Sequence, residues 1–125
     1  SGITPTGQPG NTRANIRNVS CEANVAPIVI AKATTSAVLE SIGILGTGHG
    51  SLGNPDIGID LQPGCGRVTM TNIVLTGNFQ TAGIKLDGQD PVILINCNSV
   101  SSGPGPAWVM SMDQAKISRL QCNLP

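Results

Sequence analysis

The sequence predicts an all-β chain folded as a parallel β-helix (solenoid) of about five coils, with an antiparallel β-sandwich as the alternative. Three observations carry that expectation. The apolar residues are mostly Ile, Val and Leu, and 16 Gly with 9 Pro make up a fifth of the 125 residues, which favours short strands between frequent turns. No helical period is sustained; even in the stretch from Ala33 to Leu45, Thr34, Thr35, Ser36, Ile42, Gly43 and Ile44 favour extended backbone. Finally, the chain repeats itself.

Five eight-residue blocks align without gaps, beginning at Ala14, Ala37, Val68, Val92 and Ala115 and therefore separated by 23, 31, 24 and 23 residues. Their third positions are Ile16, Leu39, Met70, Leu94 and Ile117, and their sixth are Val19, Ile42, Ile73, Cys97 and Leu120. The fifth positions, Asn18, Ser41, Asn72, Asn96 and Arg119, interrupt strict alternation and are expected to be corners. Asn suits a corner because it tolerates left-handed backbone angles and can bond to its counterpart in the next coil. A second short strand precedes each block from the second onward: Ile28–Ile30, Ile57–Leu61, Gly83–Leu86 and Ala107–Met110. One such unit cannot bury its own apolar face. Units must therefore stack, like strand on like strand, about 4.8 Å apart. Residues 1–13 are expected to be an extended N-terminal segment and residues 14–125 a single domain. About five coils leave open strand edges at both ends, which implies part of a larger chain or a protomer of an oligomer.

Composition narrows the function. Seven basic residues balance seven acidic ones, only 11% of residues are charged, and Phe79 and Trp108 are the whole aromatic complement. Nucleic-acid binding then lacks both its electrostatic footprint and its stacking platform. No apolar run approaches the roughly 20 residues of a helical span, so membrane insertion is not expected. Cys21, Cys97 and Cys122 fall at inward positions and Cys65 in a turn, in a register that leaves all four unpaired. Without a CxxC pair, and with His49 alone in a distant loop, no metal site or cofactor is expected.

The segments Val68–Asn78 and Gly83–Gly88 resemble single coils of the pectate-lyase-like right-handed parallel β-helices, a superfamily that includes bacteriophage tailspikes. The resemblance spans about residues 14–123 at the level of architecture and brings no catalytic motif with it. It implies a right-handed coil, assembly as a homotrimer, a place in a virion tail made in host cytoplasm, and attachment to bacterial surface polysaccharide. Free cysteines agree with folding in a reducing compartment. Secretion is the alternative localisation.

Two further functions compete with attachment. A polysaccharide depolymerase, hydrolase or lyase, would draw its carboxylates from Asp60, Asp87, Asp90 and Asp113, since paired carboxylates serve as acid and base on a glycosidic bond. The same residues also fit plain turn chemistry, with Asp60 and Lys85 as a surface ion pair. A purely structural or adhesin-like solenoid is the other. The 31-residue spacing contains an inserted loop with His49 and Asp56; with Phe79, Gln80 and Trp108 on the same side, it is a candidate glycan-binding surface. Outward Ile93 and Ile95 form an apolar patch that is either a subunit interface or covered by a loop or by residues 1–13. The sequon Asn18-Val19-Ser20 is expected at an inward corner, without consequence.

Overall fold

A computed structural model describes residues 12–22, 28–30, 34–46, 56–101 and 103–123. Its strands are β1 (Thr12–Glu22), β2 (Ile28–Ile30), β3 (Thr34–Gly46), β4 (Ile57–Leu61), β5 (Arg67–Gly77), β6 (Ala82–Leu86), β7 (Val92–Ser101), β8 (Trp108–Met110) and β9 (Ile117–Leu120). Odd-numbered strands form a five-stranded sheet in the order β1-β3-β5-β7-β9, and even-numbered ones a four-stranded sheet in the order β2-β4-β6-β8. Every pairing is parallel, which removes the antiparallel sandwich. The chain is a β-solenoid of about four turns, slightly shorter than the repeat count implies.

The first four blocks stack in the register that the sequence predicts. Ala14, Ala37, Val68 and Val92 form one column, and Ile16, Leu39, Met70 and Leu94 another. These side chains meet Ile28, Ile30, Ile59, Leu61, Ile84 and Leu86 from the other sheet, in one continuous buried core. Burying each of the larger aliphatic side chains stabilises the fold by roughly 2 kcal/mol.

The corners explain why the apolar pattern breaks alternation. Asn18, Ser41, Asn72 and Asn96 have φ of 55°, 56°, 55° and 51°. One left-handed residue turns the strand, so that the third and sixth positions of a block both face the core. Asn96 Nδ2 donates to Asn72 Oδ1 at 3.0 Å, one rung of the expected ladder. These Asn residues are exposed, so the rung lies at the surface; Asn18 of the sequon is likewise exposed and not inward.

The last coil departs from the predicted alignment. Val92 pairs with Ile117, not with Ala115, a shift of two residues. A short 3-10 turn, Gln114–Lys116, takes up the extra length, with the Asp113 carboxylate accepting from the Ala115 N–H at 3.0 Å. Gln121, with φ of 57°, is therefore the fifth corner, while exposed Arg119 donates to Gln114 Oε1 at 3.2 Å. Continuing that register puts Cys122 beside Cys97 instead of in the column of Cys21, and the Asn123 N–H reaches the Cys97 carbonyl at 3.4 Å.

Candidate functional site

The four predicted catalytic carboxylates separate into two that structure explains and two that come together. Asp113 is the cap just described. Asp90 is ion-paired with Lys116 at 2.9 Å on the surface. Asp60 and Asp87 remain, at the outer face and edge of the four-stranded sheet.

Asp60 lies on β4, in an outward row where it pairs in register with Lys85 of β6. Its side chain is half-buried, and Oδ1 is buried without a hydrogen-bond partner. Desolvation raises the Asp60 carboxyl above the ordinary carboxylate range; Lys85 opposes the rise, whereas Asp56 and Asp87 add to it. The expected Asp60–Lys85 ion pair is thus a register neighbourhood whose charge is felt. Among the described residues the ion pairs are Arg17–Glu40 and Lys116–Asp90.

Asp56 joins this group, which the sequence reading placed instead with the inserted loop. Its carboxylate accepts from the Thr81 hydroxyl and its carbonyl from the Thr81 N–H at 2.8 Å, which fixes the entrance to β4 against that of β6. A carboxyl raised by burial, with two other carboxylates nearby, is an arrangement from which an acid role can be drawn.

Gln89 was not singled out from sequence. Fully buried in the turn after β6, it donates through Nε2 to the Gln62 and Asp87 carbonyls, each at 3.0 Å, and accepts from the Asp87 N–H at 2.6 Å. It staples two successive turns and fixes the backbone that carries Asp87. The only sequence signal was a polar residue between Gly88 and Asp90, which does not distinguish a buried staple from a solvated turn.

The predicted glycan-stacking surface requires correction. Phe79 is 0% exposed and Trp108 4% exposed, so neither ring offers a face to a sugar. Phe79 fills space left by glycine, since a Cβ on Gly46 would stand 2.7 Å from its ring. Trp108 continues the inward column of Ile59 and Ile84. Gln80 and Asp56 are exposed. His49 lies outside the described residues.

Exposed apolar side chains collect along the five-stranded sheet in two groups, one on each side of the corner. Among the described residues, Ile93, Ile95, Leu120, Val74, Val100 and Leu45 are the exposed large hydrophobics, and all six lie on the five-stranded sheet. Ile95 and Leu120 are register partners, with Ile93 two residues along β7. Beyond the corner, Gly43 lacks a side chain and leaves a depression of about 470 Å³ bordered by Leu45 and Val74.

Fold and surface together define a β-solenoid with a carboxylate group on one sheet and an exposed apolar patch on the other. No known family model, curated protein or solved structure matches this chain.

Proposed function

We propose that the chain is a structural and receptor-binding β-solenoid portion of a tailspike-like phage assembly, a homotrimer that contributes to attachment to bacterial surface polysaccharide. The observation that carries this reading is the patch of Ile93, Ile95 and Leu120, exposed neighbours on the outer face of the five-stranded sheet. A row of Ile and Leu in water is costly, and covering it against further copies of the chain offsets that cost. Stacked coils also repeat polar side chains at the strand spacing, giving an extended ligand such as a glycan a regular surface. The pectate-lyase-like resemblance of the coils supports the tailspike form of the assembly.

The test is the solution mass. Light scattering coupled to size exclusion is expected to give about three times the 12.7 kDa chain mass, and Ile93→Lys with Ile95→Lys to give a folded monomer. A monomeric parent, or a trimer indifferent to both lysines, would remove the reading.

A second reading, polysaccharide depolymerase, is favoured by Asp60 alone. Its raised carboxyl would protonate the leaving oxygen while Asp87 serves as base or nucleophile. Reducing-end or unsaturated-product release that disappears in Asp60→Asn and Asp87→Asn, with the fold intact, is its expected signature.

A further inference from the structure

The five-stranded sheet also brings together two cations that the functional reading does not use. Arg13 pairs in register with Ser36, and Ser36 with Arg67, so the two arginines flank one serine in a single row. Two strand spacings put their Cα atoms about 10 Å apart, a gap that two long side chains can close on a small ion. Both arginines are exposed, and with Asn15, Ser36 and Val38 they line a depression of about 420 Å³.

Charge at this spot is uncompensated within the described residues, which include all seven acidic residues of the chain. Glu40 is taken by Arg17 at 3.0 Å, and Asp90 by Lys116 at 2.9 Å. Neither Arg13 nor Arg67 has an ion-pair partner there. Asn15, which lines the depression, has its Oδ1 taken by Arg17 Nε at 2.8 Å, so what it has left to offer is the donor side of its amide. Two guanidinium forks, a serine hydroxyl and an amide therefore border one concavity, a donor set with no acceptor charge of its own. Such forks match the planar oxygen pairs of carboxylate and phosphate.

We infer that Arg13 and Arg67 clamp, across Ser36, a single oxyanion, a carboxylate or phosphate group borne on a glycan. The glycan as carrier rests on the attachment reading above; the clamp itself does not.

Calorimetric titration of the full chain with hexagalacturonate, inorganic phosphate and neutral maltohexaose tests it, alongside Arg13→Gln, Arg67→Gln and Arg17→Gln. Each substitution is at an exposed residue, and circular dichroism verifies the fold. The expected result is binding of at least one anionic probe that weakens with added salt, falls about fivefold or more in Arg13→Gln and in Arg67→Gln, and changes less than about twofold in Arg17→Gln. Tighter binding of hexagalacturonate identifies carboxylate as the group, and tighter binding of phosphate identifies phosphate. Failure of both anions to bind overturns the clamp, as does an equal loss in Arg17→Gln or indifference to the other two substitutions. If maltohexaose alone binds, unaffected by Arg13→Gln and Arg67→Gln, the clamp falls and glycan attachment stands. If phosphate binds through both arginines while neither oligosaccharide does, the clamp stands and the glycan carrier falls.

Discussion

At the residue scale, burial decides the chemistry of the thiols. Cys97 is fully buried in the sixth column, and its Sγ donates to the Met70 carbonyl at 3.3 Å. Burial first, then the neighbouring Cys122 thiol, push its pKa from 9.0 up to about 12. Between those values the unfolded chain loses a proton that the folded chain keeps. Stability is therefore unaffected by this group below pH 9 and falls as pH rises from 9 toward 12. Denaturant titrations across that range should show the decline, and Cys97→Val should flatten it measurably. Cys21 and Cys65 are raised by burial as well, so each retains a smaller share of the slope.

At the element scale, the final strand depends on a 3-10 turn that no earlier coil shows among the described residues. Asp113 caps Gln114–Lys116 and the Lys116 N–H returns to the Asp113 carbonyl at 3.0 Å, which sets where β9 begins. Asp113→Ala should cost about 1 kcal/mol, read as faster hydrogen exchange of the β9 amides with β3 and β5 unchanged. The turn also shows where sequence reading stops. Ala115 and Ile117 are both acceptable core residues, and Asn, Ser, Arg and Gln are all plausible corners, so a gapless alignment chose the wrong two-residue frame. Hydrogen bonding of a short polar segment settled it. In the first four blocks nothing competes with the frame, because a shift by one residue would expose the whole column of Leu39, Met70 and Leu94.

At the scale of the whole molecule, stacking makes stability a matter of neighbours. Interior strands β3, β5 and β7 are paired on both sides, while β1 and β9 each have a single partner in the sheet. A chain whose apolar outer face is covered by further copies gains stability by mass action. The melting temperature should therefore rise with protein concentration, by about 4 °C per 1 kcal/mol gained for a chain of this size. Ile95→Lys should abolish the dependence while leaving the melting temperature of the dilute protein nearly unchanged, since Ile95 is 37% exposed in the isolated chain. Calorimetry over a hundredfold concentration range makes the comparison.

The sequence by itself determined the solenoid. Its blocks, corners and short preceding strands are local patterns, and a period repeated five times leaves parallel stacking as the way to bury every apolar column at once. The outward isoleucines were legible for the same reason. Tertiary structure alone decided the site. Asp56 reaches the Asp60 neighbourhood through Thr81, a residue 25 positions away, and Phe79 and Trp108 disappear into room left by glycine and by the other sheet. A repeat specifies which way a side chain points, but charge, solvation and reach depend on what the neighbouring coils place beside it.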